Sequence, residues 1–72
     1  MSRHLAKRSF TLAGHRTSVA LEPEFWAALE AIARGRGTSL SALVASCDAA
    51  RAETGAPLAS ALRVLALTHR GG

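Results

Sequence analysis

The sequence is poor in the residues that most chemistry needs. Its single cysteine, Cys47, excludes an internal disulfide, and with it the stapled scaffolds of small secreted proteins. Tyrosine is absent, and the aromatic side chains are Phe10, Phe25 and Trp26, too few to line a track on which single-stranded bases could stack. Asp48 is the one aspartate, and His4, His15 and His69 are scattered, so no Ser/His/Asp, Cys/His or metal-ligand spacing exists. No enzymatic activity, cofactor or metal is expected. Gly35-Arg36-Gly37 follows a helical pattern rather than a strand, which makes it a linker and not a nucleotide-binding loop. Residues 1–14 lack the apolar run of a signal peptide. No segment approaches the roughly 18 apolar residues of a membrane span. The expectation is a cytoplasmic protein with no membrane partner.

Acidic residues are also missing from one end. None precedes Glu22, while Arg3, Lys7, Arg8 and Arg16 all lie before it, so the net charge of +4 belongs to the N-terminal segment. A basic patch of this kind, with no long apolar stretch beside it, points to a polyanion and to nucleic acid before membrane. The core is thin as well. Of 72 residues, 49% are apolar, but 16 are alanine. So small an apolar complement favours burial shared with a second chain.

Residues 1–8 show no periodicity and read as a mobile basic arm. A weak strand candidate, Ser9-Phe10-Thr11-Leu12, precedes Ala13-Gly14-His15, where Gly14 suits a turn. The stronger strand is Thr17-Ser18-Val19-Ala20-Leu21. Its period of two puts Thr17, Val19 and Leu21 on one face and Arg16, Ser18 and Ala20 on the other. Pro23 and Glu24 open a first helix, which runs to about Arg34 with Phe25, Leu29 and Ile32 as its stripe, Trp26 and Ala33 beside it, and a Glu30–Arg34 pair on the wet side. After the glycine break, Thr38 or Ser39 caps a second helix reaching Glu53, with Leu40, Leu43, Val44, Cys47 and Ala50 on its stripe. Cys47 there is a small buried hydrophobe. Thr54-Gly55-Ala56-Pro57 leads into a third helix from Leu58 to about His69, with Leu58, Leu62 and Leu65 as its stripe. No internal repeat is visible.

An isolated strand leaves its backbone groups unpaired, and a second copy is the economical partner. Two chains would pair residues 17–21 antiparallel, sharing a core of Val19, Leu21, Trp26, Leu29, Leu43 and Val44. The outer face would then display Arg16, Ser18 and Ala20. A two-stranded ribbon fits the major groove, where arginine reads guanine, serine either base type and an alanine methyl the thymine methyl. The start of the second helix, Thr38-Ser39-Leu40-Ser41, offers amides and hydroxyls to a phosphate. Lys7, Arg8 and His15 are further phosphate candidates, with an exposed turn residue as the blander role for His15. The rival structure is an intrachain hairpin of Phe10–Leu12 with Thr17–Leu21 in a monomer.

Arg16-Thr17-Ser18-Val19-Ala20-Leu21, a Pro23-started helix and Gly37-Thr38-Ser39-Leu40-Ser41-Ala42-Leu43 together resemble the ribbon-helix-helix superfamily of the Arc and methionine repressors. Lys7-Arg8-Ser9, Gly14-His15-Arg16-Thr17-Ser18 and Leu58-Ala59-Ser60-Ala61-Leu62-Arg63-Val64 are similar to a short bacterial branch with an added C-terminal helix. The resemblance implies an α+β, mostly α, fold: a ribbon-helix-helix intertwined homodimer with a two-stranded antiparallel ribbon. Residues 1–15 would be a basic arm with a short strand, residues 16–53 the ribbon-helix-helix core, and residues 54–72 a C-terminal helix packed on the dimer. It implies double-stranded DNA as partner, base contacts from Arg16, Ser18 and Ala20, and phosphate contacts from the Ser39, Leu40 and Ser41 amides. Ala20 departs from the longer side chains usual at that ribbon position. The implied role is a transcriptional regulator, a repressor on the nucleoid. The alternative is a protein-interaction or antitoxin-like module whose C-terminal helix holds a partner.

Overall fold

The computed structural model describes residues 4–69. Two strands, β1 (Ala6–Leu12) and β2 (His15–Leu21), are followed by three helices, α1 (Pro23–Gly35), α2 (Leu40–Arg51) and α3 (Leu58–Thr68). The architecture is α+β and mostly helical, a two-stranded antiparallel ribbon followed by a helix pair and a further C-terminal helix.

The ribbon is made by the turn between its strands. Ala13 and Gly14 both have positive φ, 52° and 82°, the backbone pair of a two-residue type I′ loop whose twist matches that of the strands. Pairing runs from Leu12↔His15 through Ser9↔Ser18 to Ala6↔Leu21. Phe10, Leu12, Val19 and Leu21 are buried on the inner face. On the outer face Lys7, Ser9, Thr11, Arg16 and Ser18 are exposed and Ala20 is half-buried.

The N-terminal segment differs from the expectation. The basic arm does not extend to residue 8, because β1 begins at Ala6. Arg8 hides that strand in the sequence: it holds an inner position, where the alternation calls for an apolar residue, and its guanidinium turns to Glu30. β2 itself begins at His15, one residue before the stretch expected to open the core. On one edge β2 pairs with β1 of the same chain, the hairpin that stood as the rival to pairing with a second copy. The residues assigned to a shared dimer core, Val19, Leu21, Trp26, Leu29, Leu43 and Val44, are all buried within one chain. The hairpin also reveals a correspondence that the linear sequence conceals, since residues 7–12 (KRSFTL) and 16–21 (RTSVAL) occupy equivalent positions about the Ser9/Ser18 pair.

The helices follow from their local signals. Pro23 stands in the first turn of α1 with Glu24 beside it, where an acid suits the dipole. Trp26, Leu29, Ile32 and Ala33 are its buried face, which is rotated from the expected stripe so that Phe25 is half-buried beneath Arg63. The helix ends in a Schellman motif around left-handed Gly37, φ 67°: the Thr38 N–H donates to the Ala33 carbonyl at 2.9 Å and the Gly37 N–H to that of Arg34 at 3.0 Å. Ser39 caps α2, its Oγ accepting from the Ala42 N–H at 3.0 Å. That helix stops at Arg51, short of Glu53, because Gly55 turns left-handed (φ 76°) and donates its N–H to the Arg51 carbonyl. Leu58 and Leu62 anchor α3 in the core, and Arg63 reaches Glu22 at 3.0 Å to tie α3 to the start of α1.

Candidate nucleic-acid interface

The outer face of the hairpin is a small cationic and hydroxylic surface. Across it, Lys7 lies opposite Ala20, Ser9 opposite Ser18, and Thr11 opposite Arg16. The two serine Oγ atoms are hydrogen-bonded at 3.1 Å. Among the described residues, neither Lys7 nor Arg16 is held in an ion pair, so both charges remain available to an anion.

Alternation forces these side chains outward, and the inner face holds the ribbon still beneath them. Phe10 packs against Trp26 with ring centroids 5.8 Å apart. The Trp26 indole N–H donates to the Ala6 carbonyl at 2.7 Å, fixing the start of β1 on α1. Arg8 adds a clamp, since its Nη1 lies 2.7 Å from Glu30 Oε2 and its guanidinium stacks 5.0 Å from the Trp26 ring centroid. The hydrogen bond and charge of Arg8 hold the Glu30 carboxyl below its ordinary glutamate value. Glu30 therefore bonds across elements to Arg8, where an Arg34 partner was expected; Arg34 exerts only a weaker electrostatic pull.

The expected site residues divide accordingly. Arg16, Ser18 and Ala20 lie together on the outer face, and Lys7 joins them from β1. Arg8 does not, because its inner position commits it to Glu30 and Trp26. His15 is exposed at the turn end of β2. At the start of α2 the Ser39 hydroxyl is occupied by the Ala42 N–H, so capping leaves the Leu40 and Ser41 amides as the helical donors without an internal acceptor. Thr38 is half-buried and Ser41 exposed. Trp26 is core, not a stacking platform. Ser9 and Thr11 were not singled out, although the period of two continues through them into β1 and was the signal that could have found them.

Elsewhere, burial pushes the Cys47 thiol up from its ordinary value, with Asp48 adding to the rise and Arg51 opposing it. Cys47 lines a shallow groove with Ala50, Ala61 and Val64. Among the described residues there is no group of three or more metal-ligating side chains, and no helix is long and apolar enough to cross a membrane.

A hairpin with a cation-bearing outer face, backed by a helix pair and a third helix, defines a β-ribbon domain. The chain belongs to the ribbon-helix-helix domain family, whose model matches residues 5–70. That family is a DNA-binding regulatory fold rather than a family of enzymes. Among solved structures, the chain is similar to an uncharacterized protein from Bordetella pertussis Tohama I, with 38% identity and a TM-score of 0.79. The match covers 92% of this chain and 55% of that one, so the chain spans about half the length of its structural relative. No curated protein sequence matches.

Proposed function

We propose that this domain binds double-stranded DNA as a bacterial transcriptional regulator, a repressor acting on the nucleoid in the cytoplasm. One observation carries the reading: a rigidly backed, two-stranded face bears two uncompensated cations and central hydroxyls, with no acid on it. Two strands about 4.8 Å apart fit a major groove about 12 Å wide. In this arrangement Arg16 reads guanine, Ser18 either base type, and Ala20 a thymine methyl. Lys7 neutralises a phosphate, while His15, Thr38, Ser39 and the Leu40 and Ser41 amides at the start of α2 donate hydrogen bonds to phosphate oxygens, and these contacts orient the domain without specifying sequence. Ribbon-helix-helix domains typically act as dimers, and a homodimer would place two hairpins on one duplex.

The test is the affinity of the chain for a random-sequence duplex across a salt series, with stoichiometry measured alongside. The expected log K falls by roughly 0.9 per phosphate neutralised for each decade of salt. Arg16→Ala should weaken binding by about 1–3 kcal/mol if Arg16 touches a base. A wild type that ignores duplex at low salt would overturn the reading. The second reading, a protein-docking or antitoxin-like module using α3, is favoured by Val64 and Leu67, which are 54% and 67% exposed on that helix. Under it, Leu67→Asp abolishes activity and Arg16→Ala does not.

A further inference from the structure

β1 covers one edge of β2. The other edge of β2 carries no strand among the described residues, and it is the edge that a second copy takes in the proposed homodimer. Four strands then lie side by side, the two β2 strands in the middle and one β1 strand outside each. The inner pair, about 4.8 Å apart, fits a major groove about 12 Å wide, whereas three such spacings put the outer pair roughly 14 Å apart, too wide to enter it. β1 is therefore held over the groove wall, where the phosphates run.

The residues of β1 suit that place. Its outer side chains are Lys7, Ser9 and Thr11, all exposed, with no acid among them. Lys7 enters no ion pair among the described residues. Both of its neighbours are anchored inward: the Ala6 carbonyl accepts from the Trp26 indole and Arg8 donates to Glu30, each at 2.7 Å. Thr11 likewise stands between buried Phe10 and Leu12. Ser9 differs, because its hydroxyl is bonded to that of Ser18 at 3.1 Å across the seam between the strands.

We infer that β1 is a phosphate-binding strand flanking the reading ribbon, with the Lys7 ammonium and the Thr11 hydroxyl donating to phosphate oxygens on the groove wall. This rests on the proposed DNA-binding homodimer and deepens it: β2 of each chain supplies the base contacts and β1 the sequence-independent ones. Lys7 acts as a point charge, which suits a phosphate and lacks the planar fork that reads guanine. Thr11 adds a charge-assisted O–H bond and no charge of its own. The two leave separable marks, since only Lys7 displaces counterions.

The full chain titrated with random-sequence duplex across a salt series tests this, with stoichiometry measured alongside. Lys7→Gln should lower the slope of log K against log salt by roughly 0.9 per chain, about 1.8 per dimer, and Lys7→Arg should keep the wild-type slope. Thr11→Val should weaken binding about tenfold per dimer with the slope unchanged. Selection from a random duplex library should return the same preferred sequence for the wild type, Lys7→Gln and Thr11→Val, and a different one for Arg16→Ala. Wild-type affinity and slope in both β1 variants would mean that β1 stands clear of the duplex, and a preferred sequence that changes with Lys7 or Thr11 would put β1 on the groove floor. Either result overturns the inference and leaves the DNA-binding role intact, as does a single chain bound per element. Failure of the wild type to bind duplex overturns both.

Discussion

At the scale of single residues, the turn of the hairpin holds a stabilising opportunity. Ala13 has φ 52° at the first central position of the type I′ loop, where its Cβ crowds the following carbonyl at a cost of roughly 1–2 kcal/mol. Asparagine tolerates that conformation, and Asn-Gly is the favoured pair for the loop. Ala13→Asn should therefore raise the denaturant midpoint, a gain of about 0.5–1 kcal/mol; a loss would mean the turn is not type I′. Glu30 gives a second residue-scale expectation. Its carboxyl is held below the ordinary value by Arg8, so its contribution to stability is present above the ordinary glutamate pKa and is lost as the pH falls through the lowered folded value. The pair is about 40% exposed on each side, so the effect is modest and screened by salt. In thermal melts across that acid range, Glu30→Gln should lower stability near neutral pH and flatten the acid slope. An unchanged slope would show that the clamp is not charged in solution.

At the scale of elements, the helices were legible, and half of the ribbon was legible only in part. Pro23, the Gly35-Arg36-Gly37 break, Ser39 and Pro57 mark helix ends through local backbone chemistry, and each acts within a few residues of itself. β2 was legible because its inner positions are apolar, and Arg16, Ser18 and Ala20 came with it. β1 was obscured because Arg8 and Ala6 occupy inner positions, and what makes Arg8 acceptable there, Glu30 and Trp26, lies 18 or more residues downstream. Ser9 and Thr11 lay within the weak strand candidate but were not placed on the outer face. α3 joins both aspects in one helix: Leu62 is fully buried, while Leu67 is 67% exposed. Leu62→Ala should cost about 2–5 kcal/mol in equilibrium unfolding, whereas Leu67→Ala should stay within about 0.5 kcal/mol of wild type. Equal costs would mean that α3 does not pack on the core as described.

At the scale of the whole molecule, the thin apolar complement had argued for a core completed by a second chain, and one chain by itself already gathers a common apolar cluster. Folding β1 back on β2 delivers Phe10 and Leu12 to the same side as Val19 and Leu21, and α3 closes the far side with Leu58 and Leu62. No polar side chain is buried among the described residues, so no buried polar group awaits a partner's hydrogen bond. β1 pairs one edge of β2 and the core cluster lies within one chain; a chain that folds before it associates has a stability uncoupled from protein concentration. The thermal midpoint of the wild type should stay constant over a hundredfold dilution without DNA. An obligate intertwined dimer behaves otherwise, since unfolding and dissociation are one reaction and the midpoint climbs with concentration. A rising midpoint would show that the β2 strands of two chains exchange in solution; a constant one means that each chain folds before it pairs with a second copy.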